Sequence, residues 1–147
     1  MVVPPRTGVN EVIPPDEVGG WLLLLCLLLL VGQPLNLAVS AARSLGALPT
    51  KGLPLALVVV GQLIVAGIGV AAGLALLGRR RGAVSLAKWS LLLSAAMDQF
   101  VYATPFLPNN RYPGTTPLFA VASLAYYAVW LEYLLRSKRV RRTFPPA

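Results

Sequence analysis

From Leu22 to Val31 the chain is eight leucines, one cysteine and one valine, a run that no helix surrounded by water leaves exposed on every side. Continued through Ala42, the segment reaches the roughly 20 residues that a helix needs to cross a hydrocarbon core about 30 Å thick. Three further blocks of similar length follow. Hydrophobic residues make up 56% of the 147-residue chain and charged residues 12%, and their concentration in blocks sets aside a soluble globule. The sequence predicts an all-α membrane protein with four transmembrane helices, over about residues 20–42, 53–77, 84–103 and 117–135.

The segments outside these blocks set orientation. Residues 1–19 hold Pro4, Pro5, Pro14 and Pro15 with Glu11, Asp16 and Glu17, a proline-punctuated leader with no helical period. Its acids outnumber Arg6, unlike the basic start of a signal peptide. Residues 136–147 form a basic tail. The third block is the least apolar, with Lys88, Asp98 and Gln99 inside it. Counting it as a span places both termini and the second loop on one side, together with Arg6, Arg79, Arg80, Arg81, Lys88, Arg136, Lys138, Arg139, Arg141 and Arg142. Arg43, Lys51 and Arg111 fall opposite. Ten basic residues against three predict that the N- and C-termini are cytoplasmic. Trp21, Trp89 and Trp130 lie near the cytoplasmic ends of their helices, where indoles favour the membrane interface.

Two features of the spans bear on packing. In the second, Ala66, Gly69 and Gly73 share one helical face, and Gly69 and Gly73 form a GxxxG pair. Small residues at this spacing let helix backbones approach where lipid removes the hydrophobic drive for association. In the first, Pro34 removes a backbone donor, frees the carbonyl of Leu30 and favours a kink. Gly67, Gly69 and Ala72 also match the G-x-G-x-x-A of a dinucleotide-binding turn, but no strand precedes them and no acid follows at about 20 residues.

Function is sought among polar groups placed in lipid, since each of them needs a partner. With about 1.5 Å of rise per residue, Gln33 and Asn36 lie roughly 20 to 24 Å from the cytoplasmic end of the first helix. Asp98 in the third, Gln62 in the second and Tyr126 in the fourth fall at depths that let them meet, with Gln99 beside Asp98. This predicts a polar cluster open toward the outer face, serving either as interhelical glue or as a solute pocket with Asp98 as its ionisable group. Glu132 and Arg136 are four apart and fit a surface ion pair. Arg136, Lys138, Arg139, Arg141 and Arg142 follow the last span directly, a placement that attracts anionic lipid headgroups.

Several classes are set aside. The chain has no histidine and one cysteine, Cys26, so the commonest general base and any intramolecular disulfide are absent. It has no HExxH, GxSxG or Walker A sequence, and no metal or cofactor is expected. The net charge of +8 accompanies no folded cytoplasmic module and no interleaved aromatic platform, which argues against nucleic acid.

Gly19-Gly20-Trp21-Leu22 opening the first helix, Pro34 in its second half, and Tyr133-Leu134-Leu135-Arg136-Ser137-Lys138-Arg139-Val140 with Thr143 and Phe144 at the end resemble a bacterial membrane family known as domain of unknown function 2569. The resemblance implies four spans in a bacterial inner membrane and carries no catalytic residues. The expected role is a non-enzymatic accessory, assembly or regulatory subunit that packs on a membrane-protein partner or a second copy through the small-residue face of the second helix. The alternative is a small transporter or solute-binding protein using the Asp98 pocket.

Overall fold

The structure, a computed structural model, describes residues 20–104 and 114–144. The leader over residues 1–19 and the loop prolines Pro105, Pro108 and Pro113 lie outside the described residues. Among those described, all regular structure is helical. The helices are α1 (Trp21–Leu45), α2 (Leu48–Leu77), α3 (Ala83–Ala103), α4 (Thr116–Arg136) and a short α5 (Lys138–Thr143). Three of them are long and apolar enough to cross a membrane: α1, the Pro49–Leu77 part of α2, and α4.

The ends of these helices follow from local chemistry. Gly20 precedes α1 at φ +59°, a left-handed conformation that glycine adopts without steric cost. Inside α1 the expected break at Pro34 takes the form of one π turn, Leu28–Gly32, in which the Gln33 N–H donates to the carbonyl of Leu28. The widened turn sits directly before the proline, where its ring would otherwise press on the preceding turn. The helix then continues to Leu45, three residues past the predicted end. In α2 a non-helical Gly52 (φ 58°) separates an opening turn from the long helix. That helix therefore begins where the sequence places it, at Leu53. Pro54 occupies its first turn, where a missing N–H leaves no helical bond unmade.

At the far end of α2 the Arg80 N–H donates to the Ala75 carbonyl (3.0 Å) and the Arg79 N–H to that of Leu76 (3.2 Å). This is a Schellman closure. It places Arg79 at φ +50°, where a side chain costs about 1–2 kcal/mol relative to the right-handed region. The turn gathers Arg79, Arg80 and Arg81 at the helix end.

Consecutive helices pack along one another: α1 on α2, α2 on α3, and α3 on α4. The α1–α2 seam is the tightest. A methyl group built on Gly73 would lie 2.8 Å from Leu30 Cγ and 3.3 Å from the Cys26 carbonyl oxygen, and one on Gly69 would overlap the Gln33 side-chain amide. Ala66 is buried on the same face. α3 contributes a second stripe of small residues that the sequence reading missed, since Ala83, Ala87, Ser90 and Ser94 are all buried at spacings of four, three and four.

The apolar core occupies one end of the bundle. Leu22, Leu25, Cys26 and Leu29 of α1 meet Leu76 of α2, Ala87 and Leu91 of α3, and Trp130 and Leu134 of α4. Two sequence expectations change here. Trp21 and Trp89 are exposed as predicted for interfacial indoles, but Trp130 is 6% exposed, packed by Trp21 at a centroid distance of 6.1 Å and by Tyr133 at 6.0 Å. The tail is not a featureless basic extension either. Ser137 accepts a hydrogen bond from the Val140 N–H (3.4 Å), starting α5, and Val140 is buried in the core.

Three of the five glycines of α2, Gly67, Gly69 and Gly73, separate packing from helix propensity. Gly73→Ala should destabilise the protein by about 1–3 kcal/mol through overpacking against Leu30. Gly69→Ala should cost less, because the group it displaces is the end of a flexible glutamine. Gly67→Ala meets nothing within 4 Å and should be neutral or stabilising by up to about 1 kcal/mol. Thermal unfolding of the three variants in one detergent checks this order.

Candidate functional site

Above the apolar core the inner surfaces of the helices turn polar. On α1, Gln33 follows the π turn and reaches over α2 to α3, and the exposed Asn36 lies at the edge of the same polar region. The Gln33 amide crosses Gly69, and its Nε2 donates to Ser94 Oγ of α3 at 2.9 Å. One turn further along α3, Asp98 faces α4, where Ser123 Oγ and Tyr127 Oη both donate to its Oδ2, at 3.1 and 2.9 Å. A chain of polar contacts thus runs from α1 through α3 to α4.

Two cavities flank this chain and share Gln33, Asn36, Asp98 and Tyr127. The smaller, about 50 Å³, lies on the α2 side and adds Gln62, Ser40 and Met97. The larger, about 300 Å³, lies between α1 and α4 and adds Leu28, Leu29, Gly32, Leu91, Ser123 and Tyr126. Three buried side-chain atoms have no hydrogen-bond partner among the described residues: Gln33 Oε1, Gln62 Oε1 and Ser90 Oγ. An orphaned buried acceptor costs roughly 1–3 kcal/mol. Two of the three are amide oxygens of pocket residues, acceptors that a donor entering the pocket would satisfy.

Of the residues singled out from the sequence, Gln33, Asn36, Gln62 and Asp98 line one cavity together. Tyr126 lines the other, and the phenol bonded to Asp98 belongs to its neighbour Tyr127. Gln99 lines neither cavity. Its Nε2 donates to the Ala120 carbonyl of α4 at 3.1 Å, joining two helices. Sequence reasoning missed Ser94, Ser123 and Tyr127. The signal was present, since Ser94 lies four residues before Asp98 and Ser123 four before Tyr127, each pair one turn apart on its helix.

The other groups lie elsewhere. Glu132 and Arg136 pair at 3.0 Å on the exposed surface of α4, a contact of small energetic weight. Lys138, Arg139, Arg141 and Arg142 project from the core-docked α5, with Arg141 Nη2 donating to the Leu135 carbonyl at 3.1 Å. Among the described residues no three His, Cys, Asp or Glu side chains gather as a metal site would require.

The fold and cluster can be set beside known proteins. The family described as Protein of unknown function (DUF2569) matches residues 15–145, nearly the whole chain. The chain belongs to this family. No curated protein and no solved structure matches it. DUF2569 membership and the long apolar helices make this a membrane protein of unknown activity. The two sequence stretches by which this DUF2569 chain resembles its family meet in space. Leu22 and Val140 are buried in one core, and Gly20 lies so near the tail that a methyl group on it would be 3.3 Å from Arg139 Nη1.

The hydrogen bonds on Asp98 predict an order of variants. Tyr127→Phe should cost about 0.6–1.7 kcal/mol, the range of interhelical hydrogen bonds in lipid. Asp98→Asn keeps an acceptor for both hydroxyls and should be tolerated. Asp98→Leu orphans both and should destabilise by about 1–3 kcal/mol. In Asp98→Leu the further change Tyr127→Phe should then cost little, a coupling that a double-mutant cycle measures.

Proposed function

We propose that this protein is a four-span membrane protein, N- and C-termini cytoplasmic, that binds a small solute in the polar interior around Asp98 and performs no covalent chemistry. The observation that carries this reading is the pair of buried acceptors, Gln33 Oε1 and Gln62 Oε1, left without partners beside cavities that also hold Asp98. An interior built purely as glue would satisfy its own amides. The accessory-subunit reading loses its main support. Gly69 and Gly73, the face that was to receive a partner, are covered by α1 of the same chain.

Four spans are supported by the length and setting of α3. Its 21 residues extend about 31 Å, and it is packed by α2 on one side and α4 on the other. Its lower hydropathy arises from serines and Asp98 that face its neighbours, which is where polar groups in lipid are tolerated. The orientation is supported by charge. The core joins the start of α1, the end of α2, the start of α3 and the end of α4, so Arg79–Arg81, Lys88 and the tail cations share one end. Such a concentration belongs to the cytoplasmic side, of a bacterial inner membrane by the family resemblance, with the α5 cations against anionic headgroups.

Two measurements test this reading. In a Cys26→Ala background, Ser85→Cys and Ser137→Cys should resist an impermeant maleimide in intact cells while Gly46→Cys labels; labelling of Ser137→Cys from outside would overturn the orientation. Native mass spectrometry of the protein released from its own membranes should show a bound small molecule that is lost in Asp98→Asn. A stoichiometric second protein with no bound molecule would restore the accessory-subunit reading in its place.

A further inference from the structure

Resting on that reading, the seam between α1 and α4 narrows what the solute is. Consecutive long helices pack along one another, but the first and last, α1 and α4, do not. They come together at the core end, where Trp21 meets Trp130. Beyond that contact the two diverge and leave the 300 Å³ cavity between them, at the lower edge of the roughly 300–1,000 Å³ of ligand sites. The crevice is therefore bounded by two helices whose outer surfaces carry exposed leucines and valines, so it faces lipid.

Its lining is divided by chemistry. The end toward the core is apolar, with Leu28, Leu29 and Leu91. The opposite end carries Gln33, Asn36 and Asp98, and no lysine or arginine is among the lining residues. The Gln33 amide oxygen there has no partner among the described residues, and Asp98 already serves as an acceptor for two hydroxyls. The occupant that complements this wall carries donor hydrogens or positive charge at one end and hydrocarbon at the other. Tyr126, 43% exposed, stands at the rim, and its amphipathic ring suits a boundary between such a head and its chain.

We propose that the crevice between α1 and α4 binds an amphiphile with an amine head, admitted sideways from the bilayer, with the amine against Asp98 and Gln33 and the hydrocarbon along Leu28, Leu29 and Leu91. A solute taken from water would need no apolar half to its site. A purely apolar lipid would leave the Gln33 amide oxygen without a donor, at the cost that buried acceptors incur.

The test uses the full-length protein in lipid nanodiscs with dodecylamine, dodecanoate and ethylamine as probes. Dodecylamine should raise the melting temperature saturably, as a ligand of the folded state does, and dodecanoate should not. Asp98→Asn should weaken the amine by about tenfold or more. Gly32→Leu should abolish its effect without lowering the melting temperature of the free protein. A β-carbon there makes ordinary van der Waals contact with Leu28, 3.7 Å from its Cδ2, and the rest of the side chain grows from a residue that lines the crevice. Equal shifts from dodecylamine and dodecanoate, or equal shifts in wild type and both variants, would mean bilayer partitioning and overturn the proposal. A response to ethylamine but not dodecylamine would overturn lateral binding and leave the Asp98 pocket standing, whereas no response to either would remove both. Conversion of a dimer to a monomer by Gly32→Leu, with no amine effect, would assign the crevice to a second copy and also overturn the proposal.

Discussion

The close approach of α1 to the glycine face of α2 is the contact on which the rest of the architecture depends. In lipid the exposed leucines gain nothing by turning inward, so helices associate where their backbones fit closely or their polar groups pair. Gly69 and Gly73 provide both, by admitting the Leu30 side chain and by leaving room for an amide. With a β-carbon at position 69, Gln33 would be pushed off its path to Ser94. The small-residue stripe of α3 then brings that helix near enough for the hydrogen bond to close. Packing by absence of side chain on two helices is thus what places a polar side chain from the first helix at the centre of the bundle.

That arrangement divides the molecule along its length. At one end, leucines from α1 and α2 fill the space around alanines of α3 and the indole of Trp130. Beyond Leu29 the filling changes from branched aliphatic groups to amides, serines, an aspartate and a tyrosine. Polar side chains must meet at hydrogen-bonding distances and directions, a constraint that aliphatic packing does not impose. Gaps between them are harder to close, and both cavities lie at this end. The π turn at Leu28–Gly32 falls at the boundary. It lets α1 pass Pro34 without leaving the bundle and sets the direction from which Gln33 and Asn36 enter the interior. Wide turns of this kind recur at functional sites, and here one separates the dry end from the polar end.

How far the sequence makes this legible depends on the kind of signal. The long helices and most of their ends could be read within a few residues because apolar length and glycine or proline punctuation are local properties. The meeting of Gln33, Asn36, Gln62 and Asp98 was readable from depth alone, since helices of known rise crossing one slab bring equal depths together. Rotation about the helix axis was not readable. The depth argument cannot tell Tyr126 from Tyr127, one residue and about 100° apart, and it assigned Gln99 to a cluster from which it points away toward Ala120. The serines were missed because a serine in a span is compatible with lipid, glue or a pocket. Burial of Trp130 was hidden by a rule of averages: indoles favour the interface, but this one is where α1, α4 and α5 converge. The docking of α5 was hidden in the same way, because its four basic residues outweighed the single valine that fixes it.

The docked tail explains how a bundle with an open seam is held together. α1 and α4 do not pack along their lengths and meet at the core end, where Trp21 reaches Trp130. The Gly20 and Val140 regions supply the missing closure. Val140 and Leu22 enter the same core, the indoles of Trp21 and Trp130 meet above it, and the positive φ of Gly20 lets α1 begin directly beside Arg139. The two stretches that mark the family are therefore one structural unit, placed at the end of the bundle away from Gln33 and Asp98, so the segments nearest the chain's two ends close the apolar core together while the polar groups are held by the long helices alone.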